Sequence, residues 1–156
     1  MKTLLTLSLG LSLLAVPVFA QTSKNDVVDF GEPKPLTIVT TEGQHEFLVE
    51  EAKTLDQQAR GMMFRESMDA DTGMIFEFAE PKLATIWMKN TSIALDILFV
   101  RSNGKILKIE HSHKPYTLRS TSSEAVVAAV VELKGGESKL RGIRPGDTVK
   151  HPFFGN

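Results

Sequence analysis

The sequence predicts an α+β fold that is mainly β, a partly open β-barrel or sandwich of about eight short strands with one main helix. Short runs rich in β-branched and aromatic residues recur along the chain, separated by Gly, Asn, Asp or Pro turn signals. A helical stripe with a capping signal occurs at about residues 55–64. The 156 residues include no cysteine, so the core must hold the fold without disulfides.

The main helix is predicted from its N-terminal signal. Thr54 and Gln57 form a capping box, in which the Thr hydroxyl accepts the Gln57 amide proton and the Gln side chain bonds back to the N-cap amide. Leu55 and Met62 fall on one stripe at helical spacing, so this face is expected to pack on the core. The expected helix spans about residues 55–64.

The strands are predicted from short β-type runs between turn signals, and a hairpin is expected around Asn103 and Gly104. One or two helical turns are expected within 136–143. The expected strands are 36–40, 46–52, 74–78, 85–89, 95–101, 105–110, 125–133 and 148–151.

The N-terminus reads as a cleavable signal peptide at residues 1–20. Lys2 forms a short basic region, 4–16 is apolar, Pro17 breaks the helix and Ala20 ends a cleavage site. A membrane anchor is the alternative, but the apolar run is short for one. We therefore expect a periplasmic or secreted protein that does not insert into the membrane after cleavage.

Two further regions follow, a flexible N-terminal arm at 21–35 and a single domain at 36–156. The chain has 18 Lys and Arg against 19 Asp and Glu, a net charge of −1. This balance gives no reason to expect nucleic acid as a partner. The lack of cysteine excludes thiolate metal ligands and a thiol nucleophile. We expect a monomer without a cofactor.

Four ordered motifs connect the chain to a known family. They are RGMMFR at 60–65, GMIFEF at 73–78, WMKNT at 87–91 and LDI with a following Phe at 95–99. In this order they resemble the DUF192 family, with Met62 where that family usually has Leu. The resemblance covers about residues 36–152 and implies a small, often exported, compact β-rich domain. It implies no established activity or cofactor.

Asp96 is the most unusual polar residue, because it lies inside the apolar run 94–100. A buried carboxylate costs several kcal/mol unless it is paired or well hydrogen-bonded, so we expect Asp96 to be buried beside a cation. Glu132 is a second carboxylate at the end of an apolar run. These residues form either a polar plug between helix and sheet or a ligand-binding cleft. The candidate site residues are Arg60, Arg65, Trp87, Lys89, Asn90, Asp96 and Glu132.

His111 and His113 are the candidate metal ligands, because residues two apart on a strand point to the same side. Regular alternation would place Leu107 and Ile109 on that face too. Two ligands do not make a site, so solvent-exposed or capping histidines are the other interpretation, and no metal is assigned.

Function is therefore predicted only in outline. The first hypothesis is an exported, non-enzymatic binding or accessory module for a small anionic or sugar-like molecule. The first alternative is a periplasmic metal-binding protein that uses His111 and His113. The second is an enzyme acting on an envelope component, although the motifs of serine hydrolases, zinc proteases and phosphate loops are absent. Whether any reaction is catalysed stays open.

Overall fold

The computed structural model describes residues 27–156, so the predicted signal peptide and residues 21–26 of the arm lie outside the described residues. The fold is mainly β, as predicted. Its elements in chain order are β1 (Lys34–Val39), β2 (Gln44–Ala52), α1 (Leu55–Arg60), β3 (Thr72–Ile86), β4 (Leu95–Val100), β5 (Ile106–His113), β6 (Thr121–Lys134), α2 (Glu137–Leu140), β7 (Thr148–Lys150) and a 3₁₀ turn at Pro152–Phe154.

The strands form one seven-stranded sheet in the order β5-β4-β6-β3-β2-β1-β7. Strands β2 and β3 are parallel and the other neighbours are antiparallel. The two edges meet at one end, where Lys105 forms an isolated bridge with Thr148 and the Val149 amide donates to the Gly104 carbonyl at 2.8 Å. This contact curls the sheet into the partly open barrel that the sequence predicts.

The strand count differs from the expected eight because two predicted strands are one. Residues 74–78 and 85–89 were expected to be separate, but β3 runs from Thr72 to Ile86 with register shifts between Glu77 and Lys82 and between Leu83 and Thr85. A bulged strand interrupts the period-two pattern on which the sequence prediction depends.

Helix α1 has the predicted capping box at Thr54 and Gln57, but it ends at Arg60. Gly61 follows with φ +46°, a left-handed value that favours glycine, and a Cβ there would lie 3.1 Å from the Phe76 ring. The predicted amphipathic stripe is wrong, because Leu55 is 82% exposed and no residue of α1 is buried. Met62 reaches the core from the turn after the helix.

Two hydrophobic clusters lie on opposite faces of the sheet. The inner cluster contains Leu36, Ile38, Phe47, Val49, Ile75, Leu98, Val100, Ile106, Ala129, Val131, Leu133, Ile143 and Val149. Because it joins both edge strands to the central strands, it fills the inside of the curl. The outer cluster contains Ala52, Met62, Met74, Phe76, Phe78, Ala84, Met88, Leu95, Ile97, Phe99, Val127 and Val130. Phe30 of the predicted arm packs against the outer cluster.

Candidate functional site

A cavity of about 300 Å³ opens on the outer face of the sheet. It lies between the end of α1, the bulged strand β3 and the segment that leads into β4. Its lining is Gln58, Ala59, Arg60, Gly61, Met62, Met63, Phe76, Phe78, Lys82, Leu83, Ala84, Thr85, Ile86, Trp87, Thr91, Leu95 and Glu132. Most of these side chains are apolar, which is typical of a small-molecule pocket.

Glu132 is the charged residue at the buried side of this cavity. On β6 it alternates with Val131 and Leu133, which pack in the inner cluster, so its side chain points to the outer face. Its neighbours across the sheet are Met74 and Ile97, and both are fully buried. The carboxyl group therefore lies among apolar side chains at the border of the cavity.

Burial raises the pKa of Glu132 to about 8, and the positive charge of Arg65 only partly opposes this. The residue is 4% exposed, and within residues 27–156 its carboxyl group forms no hydrogen bond or salt bridge. At neutral pH the group is therefore mainly protonated. A neutral carboxyl can donate one hydrogen bond and accept others, and its partner in the cavity would be a ligand.

Two cations border the cavity, and each lies over an aromatic ring. The Arg60 guanidinium is 4.7 Å from the Phe64 ring centroid, and Lys82 Nζ is 4.1 Å from the Phe78 centroid. Lys82 is exposed, as are Leu83, Thr85 and Trp87, so these residues mark the open side. The cavity therefore combines mostly apolar lining residues with exposed polar atoms, and it has a neutral carboxyl at its buried side and positive charge near its mouth.

The other predicted cations do not join this cavity. Arg65 forms a salt bridge with Glu50 and lies over the Phe30 ring, with 5.6 Å to the centroid. Lys89 is exposed and lies over the Trp87 ring at 5.2 Å. Trp87 is 50% exposed and follows the end of β3. Of the candidate site residues, only Arg60, Trp87 and Glu132 line the cavity.

Asn90 lies in a turn, to which it contributes through its backbone. Its φ is +54° and its carbonyl accepts a hydrogen bond from the Phe64 amide at 2.8 Å. Together with Arg65 it borders a separate groove that also contains Ser92 and Tyr116. The structure therefore places Asn90 and Arg65 together in a groove that Glu132 does not line, although the Arg65 charge still acts on the pKa of Glu132.

Asp96 is buried as predicted, with 0% exposure, but the prediction of a cationic partner is wrong. Its carboxylate accepts hydrogen bonds from the amides of Ser112 at 2.7 Å, Gly136 at 3.0 Å and Ser138 at 2.8 Å, and from the Ser138 hydroxyl at 2.5 Å. No salt bridge within residues 27–156 involves Asp96. Four donors satisfy the charge without a cation, so Asp96 ties β4 to β5 and to the start of α2.

The histidine pair does not lie on a regular strand. Ile109 packs against the inner cluster and Leu107 against the outer one, and Ser112 has φ +47°. His111 Nδ1 lies 2.8 Å from the Ser138 hydroxyl oxygen. Within the part of the chain that the structure describes, no group of three metal-binding side chains includes His111 or His113. The expectation that both share a face with Leu107 and Ile109 is wrong, because irregular pairing of β4 with β5 disturbs the alternation.

Sequence reasoning missed the aromatic part of the cavity and a second cluster. Phe76 and Phe78 line the cavity beside Glu132, and the alternation within 74–78 could have placed them on one face with Met74. Glu51, Glu77 and His151 come together on the other face. No local signal connects these three, because they lie on three separate strands or strand ends.

The chain belongs to the DUF192 family, described as an uncharacterized ACR, which it matches over residues 37–151. It is similar to a crystal structure from Sinorhizobium meliloti 1021 of a protein described, provisionally, as a transcription regulator. The two are 34% identical with a TM-score of 0.78, over 82% of this chain and 99% of that chain.

A crystal structure of a protein of unknown function from Novosphingobium aromaticivorans DSM 12444 is also similar, with 34% identity and a TM-score of 0.74. It covers 85% of this chain and 99% of that chain. No curated protein matches the sequence significantly. Among residues 27–156, every helix is too short or too polar to span a membrane.

Proposed function

We propose that this protein is an exported, non-enzymatic binding module that holds a small molecule in the cavity of β3, β6 and α1. The observation that carries this proposal is Glu132, a buried carboxyl group that borders a cavity with mostly apolar lining residues and has no hydrogen bond or salt bridge within residues 27–156. A ligand that supplies a hydrogen bond to this carboxyl group would gain from it in the low-dielectric surroundings of the cavity.

The cavity chemistry favours a compact ligand with an apolar body and one carboxylate or similar anionic group. The protonated Glu132 can donate a hydrogen bond to such a group. Arg60 and Lys82 add positive potential near the mouth, where an approaching anion is attracted. The apolar body would pack on Phe76, Phe78 and their neighbours.

Binding is tested with hexanoate and benzoate as anionic probes and with benzamide as a neutral probe of similar size. The expected result is a rise in melting temperature with the anions, because a ligand of the native state stabilises by mass action. Glu132→Leu should remove the rise, since Leu fills similar space without a donor. Glu46→Gln, an exposed change on β2, is the matched control.

Native mass spectrometry of the protein isolated from its own envelope tests the same proposal without choosing a probe. A retained small molecule that is lost in Glu132→Leu supports the site. An empty wild-type protein that also gives no thermal shift with any probe contradicts it.

Export rests on residues 1–20 and has its own test. N-terminal sequencing of the protein from the envelope fraction should begin at Gln21, as cleavage after Ala20 requires. A protein found in the cytoplasm with an intact N-terminus would refute export without affecting the binding proposal.

A further inference from the structure

A second polar cluster lies on the inner face of the sheet, opposite to the cavity. It contains Glu51 near the end of β2, Glu77 on β3 and His151 directly after β7. Side chains alternate along β3, so Glu77 points inward while Phe76 and Phe78 point to the cavity. Parallel pairing of β2 with β3 places Glu51 opposite Ile75, two residues before Glu77.

The imidazole of His151 lacks a partner on one side. The residue is 2% exposed, and Nε2 is buried without a hydrogen bond within residues 27–156. The other nitrogen, Nδ1, accepts a long hydrogen bond of 3.3 Å from the Phe153 amide. The neutral ring therefore carries its proton on Nε2. A buried ring nitrogen without a partner costs stability. His45 Nε2 and His113 Nε2 are also buried without a partner, but among the described residues only His151 lies beside two carboxylates in a group of three.

The two carboxylates direct different oxygens to different neighbours. Glu51 Oε1 is 3.6 Å from His151 Nε2, and Glu77 Oε1 is 3.9 Å from His151 Nδ1. The Oε2 atoms face Lys53 instead, with Lys53 Nζ at 2.9 Å from Glu51 and 4.0 Å from Glu77. The carboxylate oxygens nearest to the imidazole are therefore not the ones that contact Lys53.

We propose that Glu51, Glu77 and His151 form a binding site for one divalent first-row metal ion such as Zn²⁺. One ligand atom from each residue lies within 4.8 Å of the others. Zinc ligands lie about 2.0–2.2 Å from the ion, so neighbouring ligand atoms are about 3–3.5 Å apart. Ligand atoms at the 4.8 Å limit would have to approach each other by about 1.3–1.8 Å to complete the site. Imidazole and carboxylate together suit Zn²⁺ and its neighbours in the first row.

The charges of the cluster support cation binding. Burial, opposed by Lys53 and assisted by the negative charge of Glu51, raises the pKa of Glu77 to about 7. A cation placed beside the two carboxyl groups would offset this burial and repulsion. The pKa of His151 is lowered by burial, so the ring is neutral and available as a ligand.

Without a bound ion, Lys53 contacts both carboxylates, so it would compete with the ion for them. Its side chain is 53% exposed, so it can turn to solvent when an ion binds. Coordination through Nε2 moves the ring proton to Nδ1, and the Phe153 amide then loses its acceptor. The displacement of Lys53 and the loss of the Phe153 hydrogen bond can both be measured.

The test is calorimetric titration of the metal-free protein, purified after chelator treatment, with Zn²⁺ and then Mn²⁺. We expect one ion per chain and tighter binding of Zn²⁺ than of Mn²⁺. Glu77→Gln should weaken binding by more than about a hundredfold, since loss of a residue that only orients a ligand already costs about 10- to 100-fold. Lys53→Met should strengthen binding several-fold.

The double variant His111→Ala with His113→Ala is the matched control and should bind as the wild type does. The Phe153 amide resonance should shift on Zn²⁺ addition, and circular dichroism checks that each variant folds. Lys53→Met keeps the test decisive even if Glu77→Gln fails to fold, because Lys53 is at the surface. The proposal is overturned if neither the wild type nor Lys53→Met binds Zn²⁺, if Glu77→Gln binds as tightly as the wild type, or if the histidine double variant loses binding.

Discussion

Replacing Glu132 by Gln should make the protein more stable at alkaline pH. Burial gives the folded-state carboxyl a pKa of about 8, whereas its ordinary value is 4.5. The folded state therefore holds the proton up to about pH 8, while the unfolded chain releases it near pH 4.5. The contribution of Glu132 to the free energy of unfolding therefore has its full value below pH 4.5 and is lost as pH rises to about 8.

The difference between the ordinary pKa of 4.5 and the folded-state pKa of about 8 corresponds to about 5 kcal/mol in the free energy of unfolding, because each pKa unit represents about 1.4 kcal/mol. Gln has a similar shape but does not titrate, so the variant avoids this loss. The free energy of unfolding of Glu132→Gln minus that of the wild type should therefore rise between pH 4.5 and pH 8 by several kcal/mol. Above pH 8 the difference should level off.

The assay is equilibrium urea unfolding of both proteins at pH 4.5, 6, 7 and 8.5. Glu77 and His151 also have shifted pKa values, but they are present in both proteins and cancel in the difference. Glu46→Gln is the exposed control and should show no such trend. A difference that stays constant within about 0.5 kcal/mol, the scale of surface substitutions, would refute the buried, protonated carboxyl and with it the carboxyl donor of the cavity.

Three further changes test the framework around these sites, each by urea unfolding at pH 7. Asp96→Asn should lower the free energy of unfolding by about 2–4 kcal/mol, because the NH2 group of the new side chain would face donors from Ser138 or the neighbouring amides. A loss below about 0.5 kcal/mol contradicts the four-donor arrangement. Thr54→Ala should cost about 1 kcal/mol by removing the N-cap acceptor, and an unchanged midpoint would show that the capping box contributes nothing. Gly73→Ala should lower the free energy of unfolding by about 1–3 kcal/mol, since its Cβ would lie 2.7 Å from the Glu132 carbonyl oxygen. A variant as stable as the wild type would mean that β3 and β6 can move apart at this point without loss of stability.

Local patterns were sufficient for several features of this protein. The capping box at Thr54 and Gln57 involves residues three apart, so the sequence alone predicts it and the structure contains it. The hairpin around Asn103 and Gly104 and the burial of Asp96 were likewise predicted. In each case the physical cause acts within a few residues, through a turn preference, a cap or the period of apolar side chains.

Partners that meet across the sheet were predicted poorly, and Asp96 shows why. A cation was expected because a buried carboxylate needs compensation, and the nearby motifs offered Arg and Lys. The structure supplies compensation from the amides of Gly136 and Ser138, some forty residues later in the chain. Backbone amides carry no sequence signal, so this solution cannot be read from residue types.

The sequence by itself determined a mainly β fold without cysteine and the membership in its family, because side-chain periodicity and ordered motifs are properties of the chain. Only the tertiary structure decided which polar residues meet. The bulge of β3 and the turn at Gly61 leave a cavity beside Glu132, and the pairing of β7 with β1 brings His151 to Glu51 and Glu77. Strand register and closure of the curl depend on interactions across the whole sheet, and no short segment contains that information.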